Sequence, residues 1–438
     1  MRRIRLIRGM GFFDALMLGI GFIIGSGIFI MPLIAAEAAG TYSLVGWLLG
    51  GLYSILAGLA FAEAAAKLPK AGGLYAYTHK AFGDFAGFFA GWTFWIGYWI
   101  TIATEQSALG LYLSFLLPQL SLFIRVTIGV LTGLVLTYYN FKGVKTGARI
   151  GDFFTVGKIL AIVIFVAGAL IFFKVSNLFP LFPASISAMP TLGQLVPAIG
   201  SATVLALWAY LGVEIITVPD DEIKNAKKTV PRAIFVAVFT VTAIYLLVSA
   251  AFLGAAHWTS YIGSQSPLAD LFAAITNSQI AGIVITIGGI ISILGSLNAV
   301  ILATSRIAFS MSRDGLFPKV FAKVHPKYGT PYAALALQTV FAIILMYTVN
   351  NFVALASLAV FFTIVPYALS SFATFKLIRN EGGRLSVLHF KGTPILAGIA
   401  SVVLILVYLS QTLVLEIAVA MLFIGLLVFI ERKKIRKL

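Results

Sequence analysis

The stretch Gly19-Ile-Gly-Phe-Ile-Ile-Gly-Ser-Gly-Ile-Phe29 lies in the middle of an apolar run that extends from about residue 12 to residue 39. A run of this length can cross a bilayer as a helix, but Gly25-Ser26-Gly27 at its centre has poor helix propensity and favours an interruption. Non-helical backbone at membrane depth is tolerated only where protein encloses it or where it lines a polar cavity. The sequence therefore predicts a broken helix with a binding site at the break.

A broken helix presents two ends of opposite polarity. The segment that begins near Gly27 directs free N–H groups and the positive end of its dipole at the break, which suits a carboxylate. The segment that ends near Ile23 directs free carbonyl groups, which suit an ammonium group. The two ends together indicate a receptor for an α-amino acid.

The composition excludes a soluble globular protein. Of 438 residues, 60% are hydrophobic and 11% are charged, which is too much apolar surface for a soluble core. The net charge of +16 does not indicate nucleic acid, because lysine and arginine concentrate in alternate gaps between the apolar runs. The exceptions are Arg125 and Lys174 in the opposite gaps and Lys158 and Arg306 inside the runs. We therefore expect a multi-pass plasma membrane protein with both termini in the cytoplasm. The absence of cysteine excludes disulfides and thiol chemistry.

The apolar runs predict twelve spans in a single domain, residues 1–438. Five spans after the first broken helix, Trp208-Ala-Tyr-Leu-Gly212 is followed by Glu214, which repeats the pattern of a glycine and a polar group at membrane depth. This position favours two inverted repeats, residues 10–174 and 190–380, with two added helices in 393–430. The alternative is that the glycines only allow close helix packing. The long gap at 257–277 predicts a short surface helix that could act as a lid.

Four separated motifs extend over nearly the whole chain. They are Ile24-Gly-Ser-Gly-Ile-Phe29 with Pro32 and Gly40, Glu63 with Leu68-Pro-Lys-Ala-Gly-Gly-Leu-Tyr75, Glu222-Ile-Lys-Asn225 with Val230-Pro-Arg-Ala-Ile234, and Ser305-Arg306 with Arg313-Asp-Gly-Leu-Phe-Pro318. In this order they resemble the amino acid-polyamine-organocation superfamily of transporters. The resemblance implies the LeuT-type fold, an all-α integral membrane protein with two five-helix inverted repeats, broken first and sixth helices and two C-terminal helices.

The resemblance also implies how a substrate binds. Its carboxylate meets the amides of Ser26, Gly27 and Ile28, and its amino group meets carbonyls near Ile23, Trp208 and Leu211. The candidate substrate-binding residues are Ile23, Ile24, Gly25, Ser26, Gly27, Ile28, Trp208, Ala209, Tyr210, Leu211, Gly212, Glu105, Glu214 and Asn298.

Lys158 lies about eight residues into the fifth run, which at a rise of about 1.5 Å per residue is roughly 12 Å from the cytoplasmic end. One interpretation is snorkelling, in which the long side chain carries its ammonium group back to the interface. The other is proton coupling, because desolvation disfavours the charged form of a lysine and lets it release a proton. The resemblance favours the second, since some proton-coupled members have a lysine where sodium-coupled relatives of the fold hold sodium.

Glu105 lies in the middle of the third run and has no basic residue one helical turn away. Its partner must come from another helix or from the substrate. Three interpretations stay open: a neutral carboxyl that hydrogen-bonds broken backbone, a second proton carrier, and a counter-charge for a cationic substrate.

Glu214 has a structural interpretation, a carboxylate stabilised by the dipole of a half-helix. In the arginine–agmatine antiporters of the resembled family, a glutamate at the matching place serves pH sensing. Those antiporters also use a tryptophan in the eighth helix, and residues 279–312 contain none, which disfavours arginine exchange. Trp208 and Tyr210 flank the second break and either contact substrate or pack in the core. Asn298 is a mid-span amide that faces the core and is a further candidate for substrate contact.

The remaining residues do not indicate an enzyme. The histidines His79, His257, His325 and His389 have no metal-ligand spacing, and no Ser/His/Asp or HExxH arrangement is present, so we expect neither metal nor cofactor. An ion channel would need a continuous polar pore, which two broken helices around one small pocket do not provide.

We therefore predict a secondary active amino acid transporter that works by alternating access as a proton symporter. The alternative is an exchanger of amino acids or amines without net proton movement. The expected partners are an amino acid substrate, a proton and the lipid bilayer, without nucleic acid, in a monomer or weak homodimer.

Overall fold

The computed structural model describes residues 10–68, 72–186, 190–217, 223–349, 351–387, 390–408 and 412–435, without the side chains of residues 144–153, 413 and 432–435. Residues 69–71 and Glu222, which belong to two of the motifs, lie outside the described residues, as do both ends of the chain.

The described residues form fifteen α-helices joined by short connections. In chain order they are α1 (Phe12–Ile23), α2 (Gly27–Ala39), α3 (Ser43–Lys67), α4 (Leu74–Phe82), α5 (Asp84–Leu116), α6 (Leu122–Lys142), α7 (Val144–Ile171), α8 (Leu192–Tyr210), α9 (Ala226–Ala255), α10 (Pro267–Thr276), α11 (Gln279–Arg313), α12 (Tyr332–Thr348), α13 (Phe352–Asn380), α14 (Thr393–Tyr408) and α15 (Thr412–Ile435).

Length and hydropathy make this an all-helical membrane protein. Among the described residues, nine helical segments are long and apolar enough to cross a membrane, and four apolar helices are shorter. Two of the shorter ones, α12 and α14, have 17 and 16 residues, and a third, α1, is separated from α2 by three residues. The count of twelve spans and the two inverted repeats stay predictions, because length and composition alone do not decide them.

The core of the protein lies around α5. Its side chains from Gly87 to Gly110 are nearly all buried, and it packs against α11, α13, α12 and α6. The two halves of the broken first helix pack against other helices, α1 against α9 and α2 against α8. In contrast, α6 and α15 expose rows of large apolar side chains such as Phe123, Leu131 and Phe423. An apolar exposed surface on such helices is typical of a lipid-facing side.

The α2–α3, α7–α8 and α9–α11 connections meet on one face of the protein, which we call the connection face. Thr41 N donates to Leu181 O at 3.0 Å, and Lys174 N donates to Gly254 O at 2.9 Å. The amide of Gly263 donates to Glu37 Oε1 at 3.0 Å, which joins the α9–α10 connection to the end of α2. That this face is extracellular stays a prediction from the charge pattern.

The short helix predicted within 257–277 is confirmed as α10, preceded by a 3₁₀ turn at Trp258–Tyr261. Two features were not predicted from the apolar runs. The nine-residue α4 is too polar to stand out as an apolar run, and α9 begins at Ala226, inside a lysine-bearing turn that hydropathy does not report as helix.

Candidate functional site

The first apolar run is interrupted where its glycines lie. Helix α1 ends at Ile23, helix α2 begins at Gly27, and Ile24 has extended backbone with φ −76° and ψ 92°. Residues 24–26, which we call the first break, therefore form a non-helical segment between two helix ends. Ser26 itself has φ −65° and precedes the first residue of α2.

The carbonyl groups around the first break are bound by the side chain of Lys158 from α7. Its Nζ donates to Gly21 O at 2.6 Å and to Ile24 O at 2.7 Å, and the side chain is completely buried. Snorkelling is therefore not what this lysine does here, because its ammonium group points to the break rather than to an interface. The negative end of the α1 dipole and a buried amino group face each other.

Hydroxyl groups from two other helices also lie against the carbonyls at the first break, one of which Lys158 already binds. Ser292 Oγ from α11 lies 3.2 Å from Ile24 O and 3.0 Å from Gly25 O. Tyr245 from α9 lies with its hydroxyl 2.9 Å from Ile23 O and 3.0 Å from Ala209 O, and so links the first break to the end of α8. A hydroxyl has one proton, so Tyr245 can donate to one of the two carbonyls at a time.

The amide side of the first break is bound by Glu105 from α5. Its Oε1 accepts from Ser26 N at 3.4 Å and from Ser296 Oγ at 3.0 Å, and the residue is 3% exposed. Its other oxygen, Oε2, has no hydrogen-bond partner among the described residues. The partners of Glu105 therefore come from other helices. One of them, the Ser26 amide, lies at the start of α2, where a substrate carboxylate is expected to bind.

The first break and the end of α8 are in direct contact. Trp208 Nε1 donates to Ser26 Oγ at 3.2 Å. A Cβ atom at Gly27 would lie 2.5 Å from Ala209 Cα, so only glycine allows this approach of α2 to α8. The packing interpretation of Gly27 therefore applies in this conformation, and Ile28 beside it is fully buried.

The second break follows α8, which ends at Tyr210. Leu211 is extended, with φ −61° and ψ 145°, and Gly212 has φ 108°, where a side chain would also collide with the ring of Phe22. The chain continues as a 3₁₀ helix at Val213–Thr217. We call residues 211–217 the second break.

The carboxylate of Glu214 in the second break is enclosed by aromatic side chains. It accepts hydrogen bonds from the hydroxyls of Tyr98 on α5 and Tyr367 on α13, and it is 1% exposed. The structure thus places Glu214 with two tyrosines and not beside Ser26. Tyr210 is also a packing residue: its hydroxyl donates to Trp47 O at 3.0 Å, and its ring packs against Trp47 and Tyr245.

Asn298 is separated from the first break by the geometry of α11. Its Oδ1 accepts from Asn140 Nδ2 of α6 at 2.8 Å. Ser292 and Ser296, one turn apart, face the break, whereas Asn298 is two residues beyond Ser296 and lies on another side of the helix. Substrate contact by Asn298 stays a prediction.

Sequence reasoning missed Ser292, Ser296 and Tyr245. The two serines are spaced by four residues on an apolar helix, a pattern that puts two hydroxyls on one face and could have been recognised. Tyr245 is a lone tyrosine in an apolar span and gives no such pattern. Within the described residues, no group of three His, Cys, Asp or Glu side chains could hold a metal ion.

Comparisons with known proteins show the family of the chain. A family model described as "Amino acid permease" matches residues 10–430. The serine/threonine exchanger SteT of Bacillus subtilis is 32% identical over 89% of this chain and 88% of its own length. The branched-chain amino acid permease BcaP of the same organism is 27% identical over 90% and 86%. The human large neutral amino acids transporter small subunit 2 is 29% identical over 80% and 67%.

Proposed function

Because the chain belongs to the amino acid permease family, within the amino acid-polyamine-organocation superfamily, we propose that it carries α-amino acids across the cell membrane by alternating access. Its relatives are transporters, and it is a membrane transporter rather than an enzyme. The observation that carries the proposal is that side chains of the protein itself bind both helix ends at the first break. A carboxyl group and an amino group of the protein, Glu105 and Lys158, already bind its two helix ends. An α-amino acid brings both groups on one molecule.

The substrate carboxylate, in this proposal, binds the amides of Ser26, Gly27 and Ile28. Of these three amides, Ser26 donates to Glu105, and no acceptor for the other two is found among the described residues. Two carboxylates at one helix end repel each other. Substrate therefore binds when Glu105 moves away or takes up a proton, which gives Glu105 a role as second proton carrier.

The substrate amino group binds carbonyls at the two breaks, near Ile23, Trp208 and Leu211. The Ile23 carbonyl is shared with the Tyr245 hydroxyl, which can keep its second contact, to Ala209 O, when an ammonium group arrives. Binding at this point couples α1 to α8, because each helix supplies a carbonyl. The packing of Gly27 on Ala209 must open for a substrate to enter.

Proton coupling in the proposal rests on Lys158. The charged amino group ties α7 to the last turn of α1 through two carbonyls. Charge-assisted hydrogen bonds are roughly twice as strong as neutral ones, so loss of the proton weakens this tie and lets α1 move relative to α7. A sodium ion at the same place would be repelled by the ammonium group, and we expect transport without sodium.

The alternative is exchange without net proton movement. The serine/threonine exchanger SteT, 32% identical to this chain, favours it. In an exchanger the empty carrier does not return, so Lys158 would keep its proton and act only as a tie. The names of the three relatives reported above refer to serine, threonine, branched-chain and large neutral amino acids, whereas another relative, 29% identical, is named a glutamate/serine transporter. We expect neutral α-amino acids as substrates.

Transport by purified protein in phosphatidylcholine vesicles tests the proposal. Labelled L-serine and L-leucine should accumulate under an inward proton gradient, equally in sodium and potassium buffers. Uptake only into vesicles preloaded with amino acid, regardless of the gradient, would support the exchanger. No uptake of any proteinogenic amino acid in either arrangement would contradict both.

A further inference from the structure

The connection between α11 and α12 carries a lysine at every fourth residue. Each lysine is followed by an apolar or aromatic residue, in the pairs Lys319-Val320, Lys323-Val324 and Lys327-Tyr328. The three lysines and the two valines are exposed. The chain has no acidic residue from 315 to 380. Lysines attract the anionic headgroups of a bilayer, and apolar side chains beside them favour its apolar part.

This connection is fixed to the end of α6 by aromatic packing. The ring centre of Phe141 lies 5.1 Å from that of His325 and 5.4 Å from that of Tyr328. Thr330 Oγ1 donates to Phe141 O at 2.8 Å. The end of α6, residues 138–142, and the connection, residues 319–332, therefore form one unit, which we call the basic corner.

The length of α6 places the basic corner at the surface of the bilayer. The helix has 21 residues, which at about 1.5 Å per residue extend roughly 32 Å, close to the apolar thickness of a bilayer of about 30 Å. It begins near the connection face, where Arg125 donates to Gln265 of the α9–α10 connection. Its other end, at Lys142, therefore lies at the opposite surface. Tyr138 and Tyr139 are 52% and 41% exposed there, which is typical of tyrosines at a membrane interface.

The lysines of the basic corner contact aromatic rings and not carboxylates. Lys142 Nζ lies 4.6 Å from the ring centre of Tyr138, and Lys327 Nζ lies 5.4 Å from that of Tyr328. Among the described residues, neither lysine forms an ion pair. A contact with a ring does not use up the three N–H donors of an ammonium group, so these donors stay available to phosphate oxygens.

Lys67 at the end of α3 shows a different arrangement. Its Nζ lies 3.5 Å from Glu63 Oε1 and 2.8 Å from Glu381 Oε2, and its side chain is 2% exposed. That ammonium group is neutralised inside the protein, whereas the lysines of the basic corner are exposed. Their counter-charge is not found in the described part of the chain, and the surrounding bilayer can supply it.

We infer that the basic corner is a binding site for the headgroup of an anionic phospholipid in the adjacent leaflet. Its phosphate binds the ammonium groups of Lys142 and Lys327, since Tyr328, which Lys327 contacts, also lies within electrostatic range of Lys142. Its acyl chains lie along the exposed apolar side of α6 at Val135. An acidic segment of another protein fits less well, because exposed valines alternate with the lysines.

The absence of cysteine allows a fluorescent probe to be placed beside the site. Val135→Cys lies on α6 two turns before Lys142, and Val403→Cys on α14 is its matched control, since the two valines are 52% and 53% exposed. Each variant carries a bimane on the cysteine and is reconstituted in vesicles of equal amounts of phosphatidylcholine and phosphatidylglycerol. Either one lipid or the other is brominated. Bromine quenches a fluorophore only at short range, so the two quenching levels report which lipid lies beside the probe.

Brominated phosphatidylglycerol should quench the probe at Val135→Cys about threefold to fivefold more than brominated phosphatidylcholine. At Val403→Cys the two lipids should quench equally. Equal quenching at Val135→Cys, or the same preference at both probes, would overturn the inference, because the basic corner would then have no preference of its own.

Two pairs of substitutions assign the preference to its lysines. Lys142→Gln with Lys327→Gln, added to Val135→Cys, should remove the preference for phosphatidylglycerol. Lys227→Gln with Lys228→Gln, which removes the same charge from exposed positions at the start of α9, should leave it unchanged. A preference that survives the first pair, or that both pairs remove equally, would contradict the assignment.

Soluble anions separate a lipid from other sources of negative charge. Inorganic phosphate or polyglutamate, compared with sodium chloride of equal ionic strength, should leave the preference at Val135→Cys unchanged. Loss of the preference with phosphate alone would mean that the basic corner binds the free ion, and loss with polyglutamate alone that it binds an acidic protein segment. Either result would overturn the inference.

Discussion

The two breaks are built from the same kind of interruption but are surrounded by different chemistry. The first break is bound by an amino group, a carboxyl group and serine hydroxyls, which come from α7, α5 and α11. The second break holds its one carboxylate, Glu214, between the hydroxyls of Tyr98 and Tyr367. A carboxylate with two fixed donors is satisfied, whereas Glu105 leaves one buried oxygen without a partner.

This difference separates the roles of the two breaks. Groups that bind a substrate must be able to exchange one partner for another at low cost, and the first break has titratable groups that can do so. The second break is locked by neutral hydroxyls and aromatic packing, which suits a rigid support for α8. Substitutions at the first break should therefore change transport, and those at the second should change stability.

The largest effect is expected from Lys158. Lys158→Ala should abolish accumulation driven by a proton gradient, because no titratable group remains at that place. Lys158→Arg should fail as well, since a guanidinium group does not release its proton. Uptake of labelled amino acid into vesicles at a fixed gradient is the measurement, with the exposed Lys80→Ala as control. If Lys158→Ala accumulates substrate like the parent, the proton moves elsewhere, with Glu105 as the next candidate.

The second largest effect is expected from Ser26→Pro. Proline fits the φ of −65° at Ser26 but removes the amide that Glu105, or a substrate carboxylate, accepts. Affinity for a neutral amino acid, measured by the ligand-induced shift in melting temperature, should fall by about tenfold or more. The matched control is Ser26→Ala, which keeps the amide and removes only the side-chain hydroxyl, with its contacts to Trp208 and Glu105. Equal affinity in Ser26→Pro and the parent would remove this amide from the site.

Glu105→Gln should have a moderate effect that depends on pH. In the parent, Glu105 loses its proton as pH rises, and the resulting carboxylate competes with the substrate for the Ser26 amide. Affinity for neutral amino acids should therefore fall more steeply with rising pH in the parent than in Glu105→Gln, where Lys158 is the remaining titratable group at the first break. At alkaline pH the variant should bind them about threefold to tenfold more tightly. The same decline in both proteins would leave Glu105 a structural role.

The smallest functional effect is expected at the second break. Tyr98→Phe leaves the carboxylate of Glu214 with one hydroxyl donor instead of two, which should cost about 1–3 kcal/mol of stability. The apparent melting temperature should fall while the KM for uptake stays close to the parent value. Tyr367→Phe should behave in the same way. A large rise in KM with unchanged melting temperature would mean that Glu214 faces the substrate and that the two breaks share its binding.

Much of the architecture could be predicted because it follows from local rules. The interruption at Gly25-Ser26-Gly27 follows from helix propensity, and α10 follows from the length of a polar gap between two spans. The sequence predicts apolar runs at 43–66 and 82–117, and the boundaries of α3 and α5 lie within two residues of them, since hydropathy changes sharply where a helix leaves the apolar region. The short α4 could not be found this way, because its sequence carries no apolar run.

The site residues divide in the same way. Sequence reasoning identified Lys158 and Glu105 as costly groups at membrane depth that need partners, but it could not say which partners, since these lie 134 and 79 residues away along the chain. Glu214 and Asn298 are also candidates for substrate contact by sequence. The packing of α5 and α13 instead pairs Glu214 with two tyrosines, and the packing of α6 pairs Asn298 with Asn140.

The sequence by itself determined that this chain lies in a membrane, where its first helix breaks and which charges it must bury. These properties depend on composition and on the backbone preferences of a few consecutive residues. The tertiary structure alone decided which helix end each charge binds, that Gly27 packs on Ala209, and that Phe141 at the end of α6 packs on His325 and Tyr328. Those contacts join residues far apart in the chain, and hydrogen-bond geometry selects them only when the helices are packed.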